Sequence, residues 1–247
     1  MKAIILAAGV GSRLRPITNN IPKTLVKVNK KPMLQYIIES LLENNINDII
    51  ICVGYKSECV ISFCSEVFPS INFTFIENND YETTNNLFTL YMSRSYMEDD
   101  FLLMNADLVF EAKIIEKLLD AAFSAFCIDK GVYIEESMKV TTNENGIING
   151  ISKKIIESDA FGTSIDVYKF LSKDGAALKE ALVKAIEVEK KYGEWSETLF
   201  DNLIKNELIE IRPVEINGLK WFEIDNFEDL AYAEALFNEG KRKVQLQ

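Results

Sequence analysis

The stretch "ILAAGVGSRLRPIT", Ile5–Thr18, decides how the rest of the chain is read. An apolar run, Lys2–Ala8, stops at Gly9, and two glycines, a serine and two arginines follow within seven residues. A short unbroken apolar run is what a strand buried on both faces of a parallel sheet requires. A glycine-rich turn straight after such a strand suits a phosphate. Two templates for such turns fail here. The dinucleotide loop G-x-G-x-x-G needs a third glycine where Leu14 stands, and the Walker A pattern G-x-x-x-x-G-K-[ST] is absent. What remains is a strand, then G-x-G-S-R-x-x-P-x-T, then "IPKTL" (21–25). Arg13 offers a planar fork for phosphate oxygens and Lys23 a compact second charge, while Pro16 and Pro22 restrict the backbone. A lone glycine pair would read as a tight turn. Two cations behind a buried strand favour phosphate binding.

Outward from this loop the first half alternates strand and helix patterns. Leu34, Ile37, Ile38, Leu41 and Leu42 follow one helix face. "DIIICV" (48–53) is a second buried strand ended by Gly54, a mixed helical stretch follows, and "INFTFI" (71–76) is a third strand. Asn85–Tyr96 reads as helical and "FLLMNAD" (101–107) as a fourth strand. The alternation predicts an α/β fold with a doubly wound, mostly parallel, Rossmann-like sheet. After about residue 124 the pattern changes to "SAFCI", "GVYI", "MKVTT" and "GIINGIS", short strand-like pieces around turns such as Asn145-Gly146. These predict an antiparallel hairpin or insertion layer. Helices are expected at Gly175–Lys190 and Glu197–Lys205, strands at 209–215 and 220–224, and a last helix at Phe227–Asn238. With no repeat or linker, one domain over 1–247 is expected, with a nucleotide-binding half (1–123) and an acceptor-binding, closing half (124–240). The tail "KRKVQLQ" reads as a solvated end.

Composition narrows the chemistry. The formal net charge of -11 argues against nucleic acid, whose phosphate backbone needs a basic surface. The chain has no histidine, which removes His bases, Ser-His triads and His-ligated zinc together. Its four cysteines form no C-x-x-C pair, and Cys52 and Cys127 read as reduced core residues. The N-terminal apolar run is too short for a signal peptide or a membrane span, so the cytoplasm is the expected location and no membrane partner is expected.

"ILAAGVGSRLRPIT…IPKTLVKVNKKPML" resembles the signature of the nucleotidyltransferases that condense a nucleoside triphosphate with a phosphomonoester, among them sugar-1-phosphate nucleotidyltransferases and bacterial choline-phosphate cytidylyltransferases. The resemblance implies that the loop wraps the triphosphate, with Leu6, Ala8, Gly9, Gly11 and Ser12 at the nucleotide and Arg13 and Lys23 as catalytic cations. "ENNDYETTNNLFTLYMSR" (77–94) looks like the N-x-x-Y-x-x-T-N segment of the phosphocholine-type cytidylyltransferases. On that match Asn85 and Asn86 contact the base or the acceptor, although a helix N-cap accounts for them equally well.

Nucleotidyl transfer leaves charge on the α-phosphate and on pyrophosphate, which Mg2+ held by carboxylates stabilises. Asp107 ends a buried strand, the edge where α/β sheets bind ligands. Asp225 lies in "WFEIDNFEDL" (221–230), and strand alternation puts Glu223 on the same face. The resemblance implies Asp107 and Asp225 as metal ligands, while a strand-end turn and a helix N-cap are their ordinary alternatives. "CIDKGVYIEESMKVTTNENGIINGISKKI" (127–155) resembles the acceptor region of phosphocholine-like and aminoethylphosphonate-like cytidylyltransferases. It implies Lys153 at the acceptor phosphate, with Asp129 or Lys139 lining the pocket. "FGTSIDVYKF" (161–170) departs from the Gly-Glu-x-Ile-Gly of those relatives at Thr163 and Asp166. Trp195, beside Glu194 and Glu197, could join Trp221 in seating an ammonium group, with a plain core tryptophan as the alternative. The resemblance thus implies an Mg2+-dependent enzyme joining CTP to a small phosphomonoester or phosphonate. Its alternatives are a sugar-1-phosphate nucleotidyltransferase and a non-catalytic nucleotide sensor. The partners are these small molecules, and the sequence leaves a homo-oligomer open.

Overall fold

The computed structural model describes residues 1–238, so the expected solvated tail lies outside the described residues. β1 (Lys2–Ala7) forms where the apolar run predicts it. Three single 3-10 turns follow between Ser12 and Leu25. The short pair β2 (Lys27–Val28) and β3 (Lys31–Pro32) leads into α1 (Met33–Glu43). The chain continues through β4 (Asp48–Val53), α2 (Ser57–Val67), β5 (Phe73–Glu77), α3 (Asn86–Met92), β6 (Phe101–Asn105), β7 (Leu108–Phe110) and α4 (Lys113–Asp120). The second half holds β8 (Ala125–Lys130), β9 (Lys139–Thr142), β10 (Ile148–Ser152), β11 (Gly162–Phe170), α5 (Ser172–Val183), α6 (Ser196–Lys205), β12 (Arg212–Glu215), β13 (Trp221–Glu223) and α7 (Phe227–Leu236).

The main sheet has the order β10-β9-β11-β6-β1-β4-β5, with β8 beside β11 and β12 beside β8. Strands β6, β1, β4 and β5 are parallel. Alternation along β1 explains the two-sided burial. Ala3, Ile5 and Ala7 face a core built with α1, α2 and α4, while Ile4 and Leu6 face one built with α3, α5 and α6. Helices therefore cover both faces, as a doubly wound sheet requires. No helix among the described residues is long and apolar enough to cross a membrane.

Two segments differ from expectation. "GVYI" (131–134) is a loop, not a strand. Gly131 at φ 74° turns the chain out of β8, and the Val132 carbonyl accepts from the Thr163 hydroxyl at 2.7 Å rather than from a strand neighbour. Gly162–Phe170, for which no strand was predicted, is the nine-residue, fully buried β11. It runs antiparallel to β6 at Val167–Phe170 and to β9 at Gly162 and Thr163, so it joins the antiparallel layer to the parallel sheet. Between those pairings its register with β8 slips, and Asp166 adopts φ 56°. This break opens at the carboxyl end of β6.

Candidate active site

A cleft of about 380 Å³ lies over the carboxyl ends of β1 and β6. At one end stands the glycine-rich loop. Gly11 holds φ 65°, and a Cβ there would meet Lys23 Cβ at 2.7 Å, so only glycine fits. Its carbonyl accepts from the Thr18 hydroxyl at 2.8 Å and the Leu14 amide at 3.0 Å. Leu14 is buried in a small core with Val26, Val28, Met33, Val109 and Ile224. That anchor leaves Arg13 free to project from the turn.

Lys23 and Arg13 meet the carboxylates. Lys23 Nζ donates to Asp107 Oδ2 and Asp225 Oδ1 at 2.6 Å each, and an Arg13 guanidinium nitrogen lies 2.8 Å from Asp225 Oδ2. Burial alone would lower the Lys23 pKa, but Asp107 and Asp225 outweigh it and hold the group above its usual range. Burial would likewise raise Asp225, and Lys23 and then Arg13 hold it below the usual carboxylate range. Among the described residues no cation forms an ion pair with Glu223; burial first, then Asp107, pushes its pKa well up. Ligand atoms of Asp107, Glu223 and Asp225 lie within 4.8 Å of one another. Asp107 Oδ1 is buried with no hydrogen-bond partner. An orphaned carboxylate oxygen in an all-oxygen donor set fits a hard divalent cation such as Mg2+.

The other end of the cleft is built on the β11 break. Asp166 accepts from Asn105 Nδ2 at 3.1 Å and from the Tyr168 hydroxyl at 2.6 Å. The same hydroxyl lies 3.3 Å from Glu197 Oε1. Burial first, then Glu197, pushes the Asp166 pKa up to about 7, and burial raises Glu197 as well. Among the described residues no lysine or arginine forms an ion pair with either acid. Lys153 Nζ sits 5.0 Å above the Trp195 ring, and both line this end.

The profile of the Nucleotidyl transferase family matches residues 2–155. The chain belongs to that family. Among curated relatives, the choline-phosphate cytidylyltransferase of Streptococcus pneumoniae is 31% identical over 96% of this chain and 98% of its own. The CTP:phosphoglutamine cytidylyltransferase of Campylobacter jejuni is 31% identical over 93% of this chain and 98% of its own. A solved structure of the CTP:phosphocholine cytidylyltransferase from Streptococcus pneumoniae matches with a TM-score of 0.79 at 26% identity, covering 95% of this chain and 97% of that one. The protein is accordingly an enzyme, a nucleotidyltransferase.

In this nucleotidyltransferase Leu6, Ala8, Gly9, Gly11, Ser12, Arg13, Lys23, Asn85, Asn86, Asp107, Lys153, Trp195 and Asp225 all line the one cleft. Asn85 caps α3, its side chain accepting from the Asn86 amide at 2.8 Å, so it is both an N-cap and a cleft residue. Asp225 is not the N-cap of the last helix. Asn226 takes that place in a capping box with Asp229, which leaves the Asp225 carboxylate to Lys23 and Arg13. Trp195 is no core residue; it is 46% exposed at the rim. Asp129 and Trp221 lie outside the cleft lining, bonded to each other, indole Nε1 donating to Asp129 Oδ2 at 2.8 Å. Asp166 and Tyr168 were missed as site residues, and Glu197 was noted only as a neighbour of Trp195. The available signal was a carboxylate set between the apolar residues Ile165 and Val167.

Proposed function

We propose that the enzyme transfers a cytidylyl group from CTP to a small phosphomonoester or phosphonate whose far end carries a cationic nitrogen, releasing pyrophosphate. One observation carries the acceptor half of this reading: Asp166 and Glu197 are buried in the cleft beside Trp195, and among the described residues no lysine or arginine pairs with them. Buried carboxylates favour a cationic ligand, and an aromatic face adds to that preference. The names of the cytidylyltransferase relatives support the donor and the phospho-acceptor.

An acceptor phosphate oxygen attacks the α-phosphorus of CTP, a new P–O bond forms, and the bond to the β-phosphate oxygen breaks. The acceptor monoester is ionised near neutral pH, its second pKa being about 6, so no histidine base is needed. Arg13 and Lys23 leave their carboxylates to neutralise the triphosphate and the departing pyrophosphate. The Lys153 ammonium holds the acceptor phosphate beside Trp195. Asp107, Glu223 and Asp225 would hold Mg2+, which when bound supplies charge stabilisation at the phosphoryl oxygens.

The test is pyrophosphate release from each common NTP with phosphocholine, 2-aminoethylphosphonate or a hexose 1-phosphate. Release is expected with CTP and one of the first two acceptors, and is expected to need a divalent ion. Asp107→Asn is expected to lower turnover by about 10²–10³ while leaving the circular dichroism spectrum unchanged. Turnover of UTP or dTTP with a hexose phosphate, and none of CTP, would overturn the reading.

A further inference from the structure

Lys139 is an unusual residue for the first position of β9. It is 0% exposed, and among the described residues no carboxylate pairs with it. Its ammonium instead donates to two backbone carbonyls, Glu135 O and Lys153 O, at 2.6 Å each, and lies 5.0 Å from the Tyr133 ring. Burial holds its pKa below the usual lysine range. An aliphatic side chain would fill this strand position without the desolvation penalty of a cation. What the cation adds is a tie between two segments that share no strand pairing at these residues.

Those segments are both walls of the cleft. Glu135 belongs to the loop 131–138, whose last two residues, Ser137 and Met138, line the cleft. The Ser137 hydroxyl reaches Glu223 Oε2 at 3.4 Å, so the loop also touches the acidic cluster. Lys153 follows β10, and its side chain lies over Trp195. The loop carries no strand of its own, and β11 holds its two ends, the Thr163 hydroxyl donating to the Val132 carbonyl at 2.7 Å and the Ser164 amide to the Met138 carbonyl at 2.8 Å. Between those ends the Lys139 ammonium ties Glu135 to Lys153.

We propose that Lys139 is the positioning residue of the acceptor end: it clamps the 131–138 loop to the Lys153 backbone and so sets the gap between Ser137–Met138 and Lys153 into which the acceptor fits. The inference rests on the reading that this end of the cleft takes the acceptor. The donor end contains no atom bonded to Lys139, so an effect confined to the acceptor marks positioning, whereas loss of the whole fold would affect both substrates.

Two variants of graded severity test this: Lys139→Gln, which keeps an amide NH2 on a shorter, uncharged side chain, and Lys139→Met, which keeps length and loses both bonds. Steady-state kinetics would vary CTP at fixed 2-aminoethylphosphonate or phosphocholine, and then the reverse. The acceptor KM is expected to rise about tenfold in Lys139→Met and less in Lys139→Gln, with the CTP KM within about twofold of wild type. Hydrogen exchange is expected to quicken at 131–138 and around Lys153, leaving β1, β4 and β6 unchanged. An unchanged acceptor KM, or KM values for both substrates that rise together, would overturn the positioning role. If the wild type turns over with neither acceptor, the parent reading fails, and this inference falls with it.

Discussion

The Lys23 ammonium, 2.6 Å from both Asp107 and Asp225, neutralises in the ligand-free protein the carboxylates that a divalent ion would need. A triphosphate would draw Lys23 and Arg13 towards itself, so on the proposed reading nucleotide and metal bind better together than either does alone. Two opposite effects of one substitution follow. Lys23→Met is expected to tighten Mn2+ binding in the absence of nucleotide by roughly tenfold, since a unit charge about 4 Å away is worth on the order of 1–4 kcal/mol at effective dielectrics of 80 to 20. The same change is expected to weaken CTP binding. Titration of Mn2+ by electron paramagnetic resonance reads the first and calorimetry the second; weaker Mn2+ binding in the variant would sink the idea. Single-residue chemistry of this kind was legible in part. Arg13, Lys23, Asp107 and Asp225 carried their candidacy in residue type and neighbours. Asp129 was a candidate through the resemblance alone, and its carboxylate is taken by the Trp221 indole, a partner 92 residues away that no local pattern announces.

At the scale of elements, α7 shows how a local motif frees a distant group. Asn226 caps the helix by accepting from the Asp229 amide at 2.9 Å. The Asp229 carboxylate in turn accepts from the backbone amides of Asp225 and Asn226 at 2.9 and 3.1 Å. The chain at Asp225 is thereby fixed while its side chain stays available to the cleft. Asn226→Ala is expected to destabilise the protein by about 1 kcal/mol, a typical cost for a lost N-cap, and to lower activity through looser placement of Asp225. Urea unfolding measures the first, and a midpoint equal to wild type would refute the capping account. Elements built on strong local periodicity matched expectation closely: Asp48–Val53 forms as read, and α1 spans Met33–Glu43 around its apolar stripe. "GVYI" failed because β-branched and aromatic residues suit a strand only where a neighbour offers a ladder, and the turn at Gly131 removes the neighbour. β11 went unread because its polar residues, Thr163, Ser164 and Asp166, hide a strand buried on both faces.

For the molecule as a whole, the buried acids of the cleft tie stability to pH. The Asp166 pKa of about 7 lies above the value of about 3.9 expected in the unfolded chain. The folded state therefore holds a proton that the unfolded chain releases. The stability that this group contributes is complete below about pH 4 and is lost as the pH rises towards 7. Asparagine tolerates the left-handed backbone at this position. Asp166→Asn is thus expected to gain in melting temperature relative to wild type as the pH rises from about 4 to 8, without divalent ions. A difference between the two proteins that stays constant over that range would refute the linkage. The sequence by itself determined the class of the fold and the residues of the proposed donor end of the cleft. Apolar periodicity within single elements fixes what becomes strand or helix, and the glycine-rich turn, Arg13 and Lys23 lie within 15 residues of one another in the chain. Lys153 and Trp195 were named from the sequence, and only the tertiary structure decided that Asp166 and Glu197 join them at the proposed acceptor end. Asp166, Glu197, Lys153 and Trp195 come from β11, the start of α6 and the segment after β10, and they meet because β11 breaks register where it passes from one sheet partner to the next. Such a meeting depends on long-range pairing, which local composition does not encode.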